Sequence, residues 1–214
     1  QKKLYRFDVK SLFTNVPIQG ALQSVSELVQ ILPEDELPLP KDDYIKLISL
    51  CVKFGPLSFN NQEFFQHEGL AMGSPLSPVL ACLFMEMLER DFYKNIIGNT
   101  SHWYRYVDDI IYIAPLSEDI GQTLQNINEV HTKIQFTLEE EKNNSLPFLD
   151  VMIERKGNKA LYKVYRKPTN KESYIHFLSG HSEKTKSGVI LGFFLRAFRI
   201  CSPDFLHQEI EHLY

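Results

Sequence analysis

Scarcities do the first sorting in this chain of 214 residues. Cysteine is nearly absent, and Cys51, Cys82 and Cys201 are odd in number and far apart. They form neither a zinc-binding spacing nor a disulfide framework. Each reads as a small apolar residue in a reducing compartment. Long apolar runs are missing too. None reaches the ~20 residues that a helix needs to cross a bilayer. Glu86 and Glu89 interrupt one candidate, and Arg196 and Arg199 the other. No helical span, and so no membrane partner, is expected. Repeats and low-complexity segments are lacking as well, and no signal peptide is expected. The chain opens Gln1-Lys2-Lys3 without Met and enters a strand pattern at once, as a piece cut from a longer protein would.

What is present suits a globular domain, or one domain plus the start of another. Fifteen Phe and ten Tyr allow a sizeable core. The net charge of −4 hides an asymmetry. Residues 1–154 carry 12 Lys+Arg against 22 Asp+Glu, residues 155–199 carry 11 against 2, and residues 200–214 carry none against 3. A basic block after an acidic one suggests a polyanion partner along one face, although a solvated amphipathic surface would look the same.

Along the chain, Leu4–Val9 alternates as a strand with Asp8 near its end. Residues 20–31 and 41–54 have helical spacing, separated by an acidic, proline-bearing loop over 33–40. Leu57–Phe59 and Glu63–Gln66 flank Asn60-Asn61 as a hairpin. Gly69–Pro78 is a loop rich in Gly, Pro and Ser. A helix apolar on all sides at first, and so expected to be buried, follows from Pro78 to about Lys94. His102–Ile113 then reads as strand, Asp-Asp turn, strand. A helix over about 118–132 precedes strands near 134–138 and 147–153. A Lys156-Gly157-Asn158 turn leads to a strand at 160–165, and helices are predicted over 184–199 and 203–213. Without regular βαβ alternation, this argues an α+β fold with a mostly antiparallel sheet.

Asp108 and Asp109 are the residues most in need of explanation. Adjacent carboxylates repel and lose solvation on packing, so a hairpin gains from them chiefly where a cation sits. Taken alone, the pair reads first as a solvated turn, and Asp8 alone is equally a helix or turn cap. Order and spacing change this. Asp8-Val9-Lys10-Ser11-Leu12-Phe13-Thr14-Asn15-Val16-Pro17, then Met72-Gly73-Ser74-Pro75-Leu76-Ser77-Pro78, then Tyr106-Val107-Asp108-Asp109 resemble the A, B and C motifs of a reverse-transcriptase palm. The details are most similar to Penelope-like retroelements. Leu146-Pro147-Phe148-Leu149-Asp150, Tyr165-Arg166-Lys167-Pro168-Thr169 and Arg196-Ala197-Phe198-Arg199-Ile200-Cys201-Ser202 extend the likeness over nearly the whole chain.

The resemblance implies a right-hand polymerase palm over residues 1–154, primer-grip-like strands and a basic segment over 155–183, and the start of a helical thumb over 184–214. It also implies that the fingers are largely outside this chain. It implies an RNA-directed DNA polymerase of a retrotransposon, with RNA template, DNA primer and dNTPs as partners. Asp8, Asp108 and Asp109 would be catalytic and would hold two magnesium ions, with manganese as a substitute. Hard cations take carboxylate oxygens. Phe13 would lie under the sugar and exclude a 2′-hydroxyl, although a plain core Phe would read alike. Met72, Gly73, Ser77 and Pro78 would meet nucleotide and template, with Met72 where many reverse transcriptases carry Gln. Ser77-Pro78 also suits a helix start. Tyr165, Arg166 and Lys167 would touch nucleic acid. Lys142 would protonate the departing pyrophosphate or simply face solvent. Nuclear residence, upstream fingers and a possible downstream endonuclease in the parent belong to the same implication. The alternative is a catalytically inactive fragment that binds RNA–DNA duplex.

Overall fold

The alternation at the start of the chain forms β1 (Lys2–Val9) in a computed structural model that describes residues 2–157 and 159–214, the side chain of Tyr93 excepted. Its inward positions Phe7 and Val9 are fully buried, and Asp8 between them is half-buried. Ser11, at φ 48°, ends the strand. A single turn, α1 (Leu12–Asn15), follows at once. Next come α2 (Ile18–Ile31), α3 (Lys41–Lys53) and the hairpin β2 (Pro56–Phe59)–β3 (Gln62–Phe65). Asn60 and Asn61, at φ 50° and 59°, close that hairpin, because Asn tolerates left-handed backbone better than most residues. The long helix α4 (Ser77–Asn95) leads to β4 (His102–Tyr106), β5 (Asp109–Pro115), α5 (Ile120–Val130) and β6 (Phe136–Glu140). Asp119 caps α5 by accepting from the Gln122 N–H (3.1 Å). The chain ends with β7 (Ser145–Phe148), β8 (Val151–Lys156), β9 (Lys159–Val164), α6 (Glu183–Ile200) and α7 (Pro203–Leu213).

Strands group as a four-stranded sheet ordered β4-β5-β1-β6, the β2-β3 pair, and a three-stranded sheet ordered β7-β8-β9. The β2–β3, β4–β5, β7–β8 and β8–β9 pairings are antiparallel. The architecture is α+β, antiparallel sheets with helices, as expected. Contacts divide the chain into two compact units. Residues 1–3 and 7–139 make the first, and residues 4–6 and 140–214 the second.

The first unit is built on an aromatic core. Phe7, Phe92, Trp103, Tyr112 and Phe136 are all buried, with ring centroids 5.4 to 6.1 Å apart in tilted and edge-on arrangements. Such pairs add about 0.5–1.5 kcal/mol each beyond the area they bury. Phe7 and Trp103 belong to β1 and β4, so this packing anchors the strands next to Asp8 and Asp108.

Several expectations need correction. The helix after the Gly/Pro loop is not buried all round: Val79 is 57% exposed, and the buried stripe runs through Leu80, Ala81, Phe84, Met85, Leu88 and Phe92. The predicted strand over 147–153 is broken at Leu149-Asp150 into β7 and β8. The first turn residue, Leu149, is apolar, so only Asp150 interrupts the hydrophobic pattern there. Cys51 is exposed rather than packed as a small apolar residue. Asn158, in the expected turn before β9, lies outside the described residues.

Candidate functional site

Two hydrogen bonds draw the three motif segments together. The Val9 N–H donates to the Asp108 carbonyl (2.8 Å), and the Leu70 N–H donates to the Phe13 carbonyl (2.6 Å). The first sets Asp108 against the residue after Asp8, although a hundred positions separate the two aspartates. On its other side the end of β1 is tied by the Lys10 N–H to the Gln135 carbonyl (2.8 Å). The second bond docks the Gly/Pro/Ser loop on α1. Gly69, at φ 72°, makes this docking possible: a Cβ there would lie 2.6 Å from the Thr14 carbonyl oxygen and 2.8 Å from the Thr14 Cα.

The hairpin turn differs from the expected Asp-Asp turn. Tyr106 pairs with Asp109, so the two turn residues are Val107 and Asp108. Asp108 is exposed, and its side chain makes no hydrogen bond or ion pair among the described residues. Asp109 is the first residue of β5 and only 6% exposed. Val107 has φ 57°. A β-branched residue is poorly suited to that region, and such strain costs about 1–3 kcal/mol and persists where the surroundings enforce it.

Those surroundings include an ion pair that sequence reasoning missed. The Arg105 and Glu89 side chains are 8% and 11% exposed. Arg105 Nε donates to Glu89 Oε1 (2.6 Å) and Nη2 to Glu89 Oε2 (3.1 Å). Trp103 Nε1 also donates to Glu89 Oε1 (2.9 Å). The remaining donors of the guanidinium reach the Val107 carbonyl (Nη1, 3.3 Å) and the Cys82 carbonyl (Nη2, 3.4 Å). Burial opposes the charge on Arg105, but hydrogen bonding and attraction to Glu89 leave its pKa above the ordinary guanidinium value. The signal was present in the sequence. A Glu on the apolar stripe of α4 requires a buried partner, and Arg105 is the nearest cation to the motif.

The other predicted residues are dispersed. Phe13 is half-buried on α1. Met72 is 73% exposed, and a Cβ on Gly73 would meet nothing within 4 Å, so internal packing does not explain glycine there. Ser77 is the first residue of α4 rather than its cap. It is buried, and its hydroxyl donates to the Ala71 carbonyl (2.6 Å), closing the loop on itself. Pro78 follows it and is exposed.

In the second unit, Tyr165 is half-buried with its N–H on the Asp150 carbonyl (2.8 Å), and Lys167 is exposed. Arg166 is engaged within the chain. It bonds both carboxylate oxygens of Glu209 (2.9 and 2.5 Å) and lies 3.4 Å from Glu172. Its hydrogen bonds to Glu209, which accepts from the guanidinium, are the main reason its pKa is raised. A phosphate would have to displace these carboxylates, so Arg166 is the least available of the three residues expected to touch nucleic acid. Lys142 is exposed.

As a donor set, Asp8 and Asp108 offer the carboxylate oxygens that a hard divalent cation takes. Among the described residues, no group of three or more His, Cys, Asp or Glu side chains is gathered in a metal-binding arrangement. The acids therefore suit a hard divalent cation by their chemistry alone, and among the described residues the expected three-carboxylate cluster is not gathered.

Comparison with known proteins follows the same lines. The family model described as reverse transcriptase (RNA-dependent DNA polymerase) matches residues 1–188, and one described as an animal helix-turn-helix domain matches residues 173–214, over α6 and α7. A telomerase reverse transcriptase of Takifugu rubripes is 29% identical over 120 residues, 56% of this chain and 11% of that protein. The chain thus spans a small part of that relative. Telomerase from Candida albicans, solved with a fragment of telomeric RNA, superposes with a TM-score of 0.65 at 13% identity over 91% of this chain and 34% of that one. The Sicinivirus RNA-dependent RNA polymerase superposes with a TM-score of 0.57 at 11% identity over 99% and 46%. At these identities the likeness is one of fold, the right hand of polymerases.

Proposed function

This chain belongs to the reverse transcriptase (RNA-dependent DNA polymerase) family, and on that premise we propose that it is the palm of a retrotransposon polymerase of the Penelope-like kind, which extends a DNA primer with dNTPs on an RNA template. The observation that supports the proposal is the 2.8 Å bond from the Val9 N–H to the Asp108 carbonyl, which joins the residue after Asp8 to Asp108. The telomerase relative supports RNA-directed synthesis, and the motif details favour a retroelement. Nuclear action is part of the same proposal, since such an element copies itself into chromosomal DNA.

In this reading the primer 3′-hydroxyl attacks the α-phosphate in line, and pyrophosphate leaves. Asp8 and Asp108, with Asp109 behind the turn, would hold two magnesium ions, or manganese in their place. When bound, the metal lowers the pKa of the attacking hydroxyl and neutralises the triphosphate. The chain's own part is positioning. β1 and the hairpin present the acids. Phe13, on the turn after Asp8, lies under the sugar and selects dNTP. Met72 and Gly73 leave an open face for a base pair, while Ser77 and Pro78 hold the loop at the head of α4. Tyr165 and Lys167 meet the primer–template backbone, so duplex binding weakens steeply with salt.

Primer extension on an RNA template with magnesium or manganese tests this reading in the parent protein. D8N should abolish incorporation, and F13A should admit NTPs. Duplex binding without dNTP incorporation by the wild type would instead support the inactive-fragment reading. Wild-type use of NTPs as readily as dNTPs would remove the role given to Phe13.

A further inference from the structure

We propose that Arg105 is a positioning residue: clamped by Glu89, its guanidinium holds the Val107 carbonyl and keeps the turn in the left-handed backbone that presents Asp108 to the end of β1. The inference rests on the polymerase reading for its functional half. Its structural half stands by itself.

A two-residue hairpin whose first turn residue has positive φ normally places Gly, Asn or Asp there, not a β-branched residue. Val107 occupies it at φ 57°. Strain of this kind survives where neighbouring groups over-determine the backbone. Arg105 is placed to do so. It lies on β4, two residues before Val107, and donates to that residue's carbonyl at 3.3 Å. The rest of its fork is occupied: both Glu89 oxygens bind it from α4, and the Cys82 carbonyl takes a further donor. Glu89 is itself held by Trp103, whose ring belongs to the aromatic core. The guanidinium therefore has little freedom, and what it grips is the peptide leading into Asp108.

Stability alone does not account for such a pair. Apolar side chains of similar volume often serve a core equally well, because burying two charges costs about what their attraction returns. A planar fork has a geometric advantage that apolar packing lacks. It fixes several acceptors at once in defined directions. Three of the acceptors here are Glu89, the α4 backbone and the strained turn.

The test is structural and kinetic, on the full chain. E89Q/R105M removes both charges together and leaves an amide oxygen to accept from Trp103. We expect its crystal structure to show Val107 out of the positive-φ region and the Val9–Asp108 bond lengthened. In primer extension, kcat should fall by about 10- to 100-fold, as a misplacement near 1 Å does, with the KM for dNTP unchanged. R105K, which keeps the charge but not the fork, should recover part of kcat. It also serves as the readout if the double variant does not fold. Val107 remaining near φ 57° in the variant overturns the inference. So does a shifted Val107 with wild-type kcat. If the wild type extends no primer, the polymerase reading fails, and the conformation of Val107 still decides whether Arg105 braces the turn.

Discussion

Two hairpins in this chain use the same local device. β4–β5 turns through Val107-Asp108 and β7–β8 through Leu149-Asp150. In each the first turn residue is apolar with positive φ, 57° and 54°, and the second is aspartate. In each an arginine reaches the turn. Their anchorage differs. Arg105 is buried, locked to Glu89, and grips the Val107 carbonyl. Arg196 lies 3.0 Å from the Asp150 carboxylate and reaches the Asp150 and Tyr165 carbonyls at 3.4 and 3.5 Å, with side chains 34% and 56% exposed. Asp150 therefore has its charge answered within the chain, whereas the Asp108 side chain is exposed and makes no hydrogen bond or ion pair among the described residues. Turn geometry alone does not make a site. A carboxylate left available on a rigidly held turn has a different chemical role from one paired in solvent.

The largest expected difference is catalytic. D108N should lower primer extension by about 10³-fold, in the range seen when one preorganised electrostatic group is removed, while D150N should leave the rate within a few-fold. Single-turnover incorporation measures both, and equal losses would break the distinction between the hairpins.

Stability comes next. R105M by itself leaves Glu89 buried and unpaired, and should destabilise the fold by about 3–5 kcal/mol. R196M removes a half-exposed pair and should cost less than about 1 kcal/mol. Chemical denaturation of the two variants sharpens the contrast. A small loss for R105M would mean that water reaches Glu89.

The smallest effect concerns strain. V107G should stabilise by about 1 kcal/mol, the relief of positive φ outweighing the entropy of glycine. L149G should do so by less, because Leu is not β-branched. V107G should also slow extension as the turn loosens, and L149G should not. Thermal melts paired with rates would show whether the strain is tied to activity at one hairpin only.

Much of the fold was legible because hydrophobic period tracks element type. The spacing in residues 41–54 and 203–213 predicted α3 and α7, and Asn60-Asn61 marked its own turn. Failures fell where period carries no information. The single turn α1 is too short to show one. The β7–β8 turn opens on an apolar residue, Leu149, which takes positive φ, so only Asp150 marks it. The Asp-Asp pair was assigned whole to a turn that holds only Asp108, because pairing register depends on the partner strand. Within the candidate site, acids could be read from order and spacing. Glu89 was noticed only as an interruption of an apolar run.

By itself the sequence determined the residue chemistry and its order: carboxylates at positions 8, 108 and 109, a glycine-bearing loop between them, and apolar patterns that specify strand or helix. These are local properties, carried by neighbours along the chain. Tertiary structure alone decided that β1 and the β4–β5 turn share a hydrogen bond, that the Arg105 fork is taken up by Glu89 and two carbonyls, and that Arg166 is held by Glu209. Such pairings depend on which faces pack together, and burial then sets what each charge can do. That information resides in the packed arrangement of distant segments, and no window of sequence contains it.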